Sequence, residues 1–341
     1  MNGIAVSILM LSALVAAANG ANDVSKGVAT LAGAGVTRYR SAIAWGVITT
    51  LAGSLLSLAM AGPINRLFSR GIVDLHPSAS FTLAVLAGAA AWILFATATR
   101  LPVSTTHAVV GALVGAGLFV GPQTVLWRSL LFAVAVPLLA SIAVAYALAA
   151  ALNVTLNGLA RSRPGWRPGP GAMLTEGVQR ELSAAHSPVD HLHWLTSGAT
   201  SLARGLNDTP KIFAVGAFTL VPGHLSATQL LIIVAGSMAV GGLVAGVRVA
   251  HRLGEGLLSL SHSEGFRSNL AAAVLVAAGA HFGLPMSTTH VSTAAIAGAA
   301  RLNVARWNAR TLRDFVLAWT LTPAVAAFVA LAAFGALRQL G

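Results

Sequence analysis

Long uncharged runs separated by short polar segments are the main pattern along this chain. Five of the runs are long enough to cross the hydrocarbon core of a bilayer as a helix, which takes about 20 residues. They cover residues 41–62, 81–99, 129–160, 225–247 and 315–337. Further spans are expected at 1–35, at 194–221 and near 268–283, where polar positions interrupt or border the apolar sequence. The pattern predicts a bundle of transmembrane helices, because a backbone in lipid has to satisfy its own hydrogen bonds.

Composition supports this class of protein. Of the 341 residues, 56% are hydrophobic and 9% are charged, and the mean hydropathy is +0.79. These values lie outside the range of soluble domains. We therefore predict an all-α polytopic membrane protein that contacts the lipid bilayer as a multi-pass protein of the cell membrane.

The net charge of +12 does not indicate a nucleic-acid partner in this setting. Its arginines are scattered over the predicted loops and helix ends, a distribution typical of contact with lipid headgroups. Because arginine occurs in nearly every loop, the orientation in the membrane is not predicted. Cysteine is absent, which excludes disulfides and thiolate metal sites.

The two lysines of the chain mark a repeated motif. Lys26 ends the segment Asn22-Asp23-Val24-Ser25-Lys26, and Lys211 ends Asn207-Asp208-Thr209-Pro210-Lys211. Each residue of the second copy follows its counterpart by 185 positions. On a helix the asparagine, aspartate and lysine share one face, and charge inside apolar sequence usually serves function. We expect each motif to lie at a break in a membrane helix, which for the first copy is placed near Gly20.

A second motif is also present twice. Leu-Pro-Val-Ser-Thr-Thr-His covers 101–107, and Leu-Pro-Met-Ser-Thr-Thr-His covers 284–290. Proline followed by hydroxyl residues is typical of a helix start. Because the apolar sequence after the first copy is short and rich in glycine, we predict a helical hairpin that enters and leaves the membrane on one side.

The two motifs recur in the same order at nearly the same spacing, which indicates an internal repeat. We divide the chain into a first transmembrane repeat at 1–160, a polar linker at 161–193 and a second repeat at 194–341, the repeats forming one transport domain. Internal repeats of this kind are typical of secondary transporters. His186, His191 and His193 of the linker are expected to be solvated loop residues and not metal ligands.

The motif residues could form a cage for a small tetrahedral oxyanion. We expect all four motifs to begin helices whose free N–H groups converge on one cavity. Further hydrogen-bond donors would come from the ammonium groups of Lys26 and Lys211 and from the hydroxyls of Ser104, Thr105, Thr106, Ser287, Thr288 and Thr289. Asp23 and Asp208 would take a coupling cation, H⁺ or Na⁺. The alternative is that the hydroxyls only cap helices. In either case, His107 and His290 are expected to be buried hydrogen-bonding residues that orient the hydroxyl loops.

GANDVSKG with LPVSTTH, and RGLNDTPK with LPMSTTH, resemble the paired signatures of the inorganic phosphate transporter (PiT) family. The resemblance covers both halves of the chain. It implies two inverted repeats with re-entrant hairpins, transport of inorganic phosphate with Na⁺ or H⁺, and a homodimer. It further implies that Asn22, Asp23, Asn207 and Asp208 line the ion and substrate site, with the hydroxyl residues on the anion. No cofactor is expected beyond Na⁺ as a possible coupling ion, which Asp23 and Asp208 would then ligate.

Lysine at position 26 departs from the family, whose members commonly have asparagine there. An ammonium group near each aspartate could fill the place of a sodium ion, which favours H⁺ coupling. It also keeps sulfate open as an alternative substrate, since sulfate only accepts hydrogen bonds whereas phosphate also donates one.

Two other classes of function use similar residues. An intramembrane enzyme could employ the aspartate, serine and histidine, but catalysis needs only one set, so we predict that the protein is not an enzyme. An anion channel could have duplicated pore motifs, whereas paired carboxylates and lysines favour a carrier coupled to a cation.

Overall fold

The computed structural model describes residues 2–75, 78–161, 188–221, 223–257, 260–300 and 307–340, and their regular elements are helices. The first half contains α1 (Gly3–Asp23), α2 (Ser25–Gly33), α3 (Tyr39–Met60), α4 (Gly62–Arg70), α5 (Ala79–Ala98) and α6 (Thr105–Val120). It continues through α7 (Trp127–Ser129), a π-helix (Leu130–Ala135) and α8 (Val136–Arg161). The second half contains α9 (Pro188–Leu220), α10 (Ala227–Gly254), α11 (His262–Phe282), α12 (Thr288–Ala299) and α13 (Ala309–Leu340).

Six of the eight predicted spans are confirmed as long apolar helices. Six helical stretches of the described chain are long and apolar enough to cross a membrane: Gly3–Gly33, Tyr39–Met60, Ala79–Ala98, Trp127–Gly158, Ala227–Gly254 and Ala309–Gln339. The expected spans at 194–221 and near 268–283 lie in α9 and α11, which are long helices with more polar residues. The protein is therefore an all-α, multi-pass membrane protein.

The two halves interlock through their long helices. Helix α1 packs against α10 of the other half, and α9 packs against α3 in the equivalent way. Two glycines at the repeat spacing allow these close approaches. A Cβ atom on Gly20 would lie 1.9 Å from the carbonyl oxygen of Met238, and one on Gly205 would lie 2.3 Å from that of Thr50. Neither half therefore has a separate core.

The outer helices also cross between the halves. Helix α13 packs against the hairpin formed by α5 and α6, while α8 packs against the hairpin formed by α11 and α12. We call the first group the α5–α6–α13 unit and the second the α8–α11–α12 unit. At 1.5 Å per residue, the 16 residues of α6 and the 12 of α12 extend about 24 and 18 Å. Both are shorter than the ~30 Å hydrocarbon core, whereas α5 and α11, with 20 and 21 residues, are about as long as the core.

The expected helix breaks need correction. In the first half the break lies at Val24 instead of Gly20, and Val24 keeps helical dihedrals (φ −57°, ψ −30°). In the second half the prediction is wrong, since α9 runs through Asn207 and Asp208 in spite of Pro210. The asparagines bond to the backbone just before α6 and α12, and the aspartates pair with the lysines of their own motifs, so neither pair begins a helix.

The expected linker is partly helical, since α9 begins at Pro188. His193 lies on α9 and is fully buried, with its Nε2 3.1 Å from the Thr30 hydroxyl, so the prediction of a solvated loop histidine is wrong for this residue. Its burial follows from the packing of α9 against α2. His191 is exposed, and His186 lies outside the described residues.

Candidate functional site

The tips of the two hairpins meet at the centre of the molecule. The Thr106 hydroxyl donates to the carbonyl oxygen of Met286 at 2.9 Å, and the Thr289 hydroxyl donates to that of Val103 at 2.7 Å. Thr289 follows Thr106 by 183 residues, and Met286 follows Val103 by the same number. The two bonds are therefore the same contact made once from each half, as an approximate two-fold axis between the tips requires.

The serine of each hairpin caps the helix that follows. Ser104 and Ser287 have extended backbones, and their hydroxyl oxygens accept the amide protons of His107 and His290. The N-termini of α6 and α12 consequently lie side by side at the meeting point of the tips. Thr105 Oγ1 lies 3.3 Å from Asp23 Oδ2, and Thr288 is buried in the first turn of α12.

The asparagine of each Asn-Asp-x-x-Lys motif holds one hairpin tip. Asn22 accepts the amide proton of Val103 at 3.0 Å and donates to the carbonyl of Leu101 at 2.8 Å. Asn207 accepts the amide proton of Met286 at 3.2 Å and donates to the carbonyl of the same residue at 3.0 Å. A side-chain amide can pair with one backbone in this way because it carries a donor and an acceptor. The two predicted motifs are thus brought together in both halves.

Each lysine ammonium is surrounded by oxygen atoms. Lys26 Nζ contacts a carboxylate oxygen of Asp23 and lies 2.6 Å from the carbonyl oxygen of Val103. Lys211 Nζ lies 3.1 Å from Asp208 Oδ1, 2.5 Å from the Thr106 hydroxyl and 3.0 Å from the carbonyl oxygen of Met286. The pairing of each lysine with the aspartate three residues earlier agrees with the helical spacing of the motif.

Two further polar residues complete the cluster. Asn19 Nδ2 lies 2.8 Å from the Thr105 hydroxyl, 3.2 Å from Asp23 Oδ2 and 3.5 Å from Asp208 Oδ2, so one amide group bridges the two motifs. Arg204 donates to Asn19 Oδ1 at 3.3 Å and to the Thr50 hydroxyl at 2.7 Å. Sequence reasoning missed both, although each precedes a motif aspartate by four residues and the two differ by the repeat spacing of 185 positions.

The cluster is closed to solvent in this conformation. No more than 1% of the surface is exposed for each of Asn22, Asp23, Lys26, Asn207, Asp208, Lys211 and Arg204. The six hydroxyl residues of the hairpins are buried as well. Charges taken out of water are costly unless they are paired and hydrogen-bonded. A buried set of this size is consistent with a site that encloses a charged cargo.

The two motif histidines lie against each other beside this cluster. Their ring centroids are 4.9 Å apart and edge to face. The ring of His107 contacts the Ser104 hydroxyl at 2.8 Å, whereas His290 Nδ1 has no partner among the described residues and its ring packs edge-on against Trp319. The geometry at His107 is the one expected of a residue that orients a capping hydroxyl.

Comparison with known proteins identifies the family. A family model described as "Phosphate transporter family" matches residues 19–330. The chain belongs to this family. A "Probable low-affinity inorganic phosphate transporter" of Rhizobium meliloti is 28% identical over 332 residues, which cover 93% of this chain and 92% of the relative. A protein of the same name from Mycobacterium bovis is 28% identical over 335 residues, covering 95% of this chain and 75% of the relative.

The fold of this phosphate transporter family member is also found in a solved structure. That of "The sodium-dependent phosphate transporter" aligns over 100% of both chains with a TM-score of 0.77 at 22% identity. The family and these relatives are transporters, so the prediction that the protein is not an enzyme is confirmed. Its placement as a multi-pass protein of the cell membrane is confirmed as well.

Proposed function

We propose that the protein is a symporter that moves inorganic phosphate together with H⁺ and independently of Na⁺. The observation that carries this proposal is the oxygen cage around each lysine. The ammonium of Lys26 is surrounded by Asp23 and the Val103 carbonyl. The ammonium of Lys211 is surrounded by Asp208, the Met286 carbonyl and the Thr106 hydroxyl. Carbonyls of unwound backbone hold Na⁺ in many secondary transporters built from internal repeats, and carboxylate oxygens are equally suited to a hard cation. An ammonium in that place leaves no cation site to fill.

The phosphate would bind where the hairpin tips meet. Two helix N-termini present their N–H groups there, and the positive ends of two helix dipoles favour an anion. A serine that caps a helix uses a lone pair, so its own proton is still available to a phosphate oxygen. At Ser287 this proton is not engaged by the ring of His290, since His290 Nδ1 has no partner among the residues that the structure describes. The family and its relatives support phosphate as the anion.

Proton coupling follows from the ion pairs. When a proton binds the carboxylate of Asp23, the lysine loses its counter-ion and the ammonium of Lys26 is free to pair with the phosphate. Loss of the proton restores the pair and releases the anion. Asp208 and Lys211 form the equivalent ion pair in the second half.

The arrangement also supports inverted repeats. If each hairpin is re-entrant, each half crosses the membrane three times, and an odd number places equivalent ends of the halves on opposite sides. Alternating access would then be the movement of one hairpin tip away from the other. The bonds from Thr106 to Met286 and from Thr289 to Val103 would break when the site opens.

Uptake into proteoliposomes tests the proposal. Radiolabelled phosphate should accumulate under an imposed proton gradient, lose that accumulation on addition of a protonophore, and be unaffected when sodium is replaced by choline. Stimulation of the wild type by sodium would contradict proton coupling. Uptake of sulfate at the rate of phosphate would broaden the substrate, and uptake of neither anion would contradict the transport function.

Replacing Lys26 should change the ion dependence of uptake. Lys26→Asn supplies an amide oxygen in place of the ammonium, so we expect phosphate uptake by this variant to be stimulated by sodium at fixed pH. Lys26→Met is the matched control, because it removes the ammonium without supplying an oxygen ligand, and it should show no stimulation. Equal responses of the two variants would contradict the idea that the ammonium occupies a cation site.

The capping serines should contribute to both binding and stability. Ser104→Ala combined with Ser287→Ala is expected to weaken phosphate binding about a hundredfold, because a hydrogen bond to a charged group contributes roughly 1.5–3 kcal/mol. Loss of each cap also lowers the free energy of unfolding by about 1 kcal/mol. Ser226, which caps α10 away from the site, is the control, since Ser226→Ala should lower stability alone. A double variant with unchanged affinity, measured by calorimetry, would leave the serines as caps only.

A further inference from the structure

Arg204 carries a buried charge that the ion pairs of the site do not balance. It is the largest fully buried side chain among the described residues, with 1% of its surface exposed. It donates hydrogen bonds to Asn19 Oδ1 and to the Thr50 hydroxyl, which are neutral groups, and its Nε has no partner in the described part of the chain. The two carboxylates next to it are already paired with lysines.

This charge is also the one that the repeat does not duplicate. The residue 185 positions earlier is Asn19, a neutral amide, and the two side chains contact each other. Residues related by an approximate two-fold axis can touch only close to that axis. The single arginine therefore lies near the axis, where one anion would be shared by the two halves.

The groups that face Arg204 can be counted. They are the amide of Asn19 and the carboxylate of Asp23 on α1, the ammonium of Lys26 on α2, the hydroxyl of Thr50 on α3, and Asp208 and Lys211 on its own helix. His107 on α6 and His290 on α12 lie beside the hairpin tips and are counted in their uncharged form. Three cations against two carboxylates give a net charge of +1. The count does not depend on where the proton of each pair resides, because a neutral lysine beside a protonated aspartate also sums to zero. A guanidinium stays protonated in proteins.

We propose that Arg204 sets the charge of the cargo, so that the site closes on phosphate carrying one net negative charge. This inference rests on the proposed function and adds the ionic form that is carried. The surplus charge of Arg204 is neutralised either by H₂PO₄⁻ alone or by HPO₄²⁻ together with one proton on an aspartate. In both cases the closed site is neutral, which avoids the cost of burying a net charge.

Proton uptake on binding tests the proposal with the wild-type protein. Calorimetric titration with phosphate in buffers of different ionisation enthalpy gives the number of protons bound per anion, referred to the anion in solution. At about pH 6, where H₂PO₄⁻ predominates, we expect close to zero protons to be taken up for each anion bound. At about pH 8, where HPO₄²⁻ predominates, we expect close to one proton per anion. Zero protons at both pH values, or two at the higher one, would overturn the proposal.

Two variants separate charge from packing. Arg204→Gln makes the empty site neutral. The closed site with phosphate bound then needs one proton more than the wild type at each pH to remain neutral. We expect the affinity for phosphate to fall about tenfold or more. Arg204→Lys keeps the charge and should keep the wild-type proton count. Thr50→Val, which removes only a neutral partner of the guanidinium, should also keep it.

The experiments distinguish failure of the proposed role of Arg204 from failure of the proposed phosphate transport. Arg204→Gln with wild-type affinity and an unchanged proton count would overturn the role of Arg204 while leaving phosphate transport intact. If Arg204→Gln does not fold, the proton counts of the wild type and of Arg204→Lys decide the matter. Failure of the wild type to bind phosphate would instead contradict the proposed function.

Discussion

Replacing Asp23 by asparagine is expected to lower the free energy of unfolding by about 3–5 kcal/mol, the usual cost of removing one partner from a buried ion pair. Lys26 would be left fully buried, with its contact to the Val103 carbonyl retained but its counter-ion gone. Unfolding in detergent micelles, followed by the fluorescence of the seven tryptophans, measures the change.

The double variant Asp23→Asn with Lys26→Met shows whether the loss is electrostatic. Replacing both members of a buried pair by neutral groups is often close to neutral in free energy, so most of the lost stability should return. Phosphate uptake should be absent in both variants, because the proton acceptor of that half is gone. Asp74→Asn is the control at an exposed carboxylate, where substitutions usually change stability by less than about 0.5 kcal/mol. Full stability of the single variant would mean that Lys26 carries no buried charge.

Joining the two hairpin tips covalently should abolish transport. The histidine rings of the two hairpins are 4.9 Å apart, and the chain has no cysteine of its own. In the variant with His107→Cys and His290→Cys, a short, reducible bis-methanethiosulfonate reagent should bridge α6 and α12. Phosphate uptake is expected to fall to background after bridging and to return to its starting level after reduction, since the site opens only when the tips separate.

A second bridge controls for the presence of the reagent. Phe81 on α5 and Phe334 on α13 have ring centroids 5.9 Å apart, and both lie within the α5–α6–α13 unit. A bridge between Phe81→Cys and Phe334→Cys should leave uptake unchanged, because that unit moves as one body. Transport that continues after the tips have been joined would contradict separation of the hairpins as the gating step.

The pattern of the sequence determined the class of protein and the composition of the site. Five uncharged runs and the interrupted apolar stretch at 1–35 predicted the six long apolar helices, and the two repeated motifs predicted that both halves contribute to one site. The pairing of Lys26 with Asp23, and of Lys211 with Asp208, also followed from sequence. These properties are local or periodic, so they can be read from neighbouring positions along one helix.

The tertiary structure alone decided how those residues are used. Asn22 and Asn207 were expected at helix starts that line the ion and substrate site, but their amides hold the backbone of the hairpin tips. Arg204 stands in the quoted motif RGLNDTPK, but it had no role in the sequence prediction until its contact with Asn19 placed it close to the axis. The interlocking of α1 with α10 and of α9 with α3 was not predicted either. Each of these outcomes depends on contacts between residues tens to hundreds of positions apart, and the partner of a buried polar group is whichever donor or acceptor the packing brings within reach.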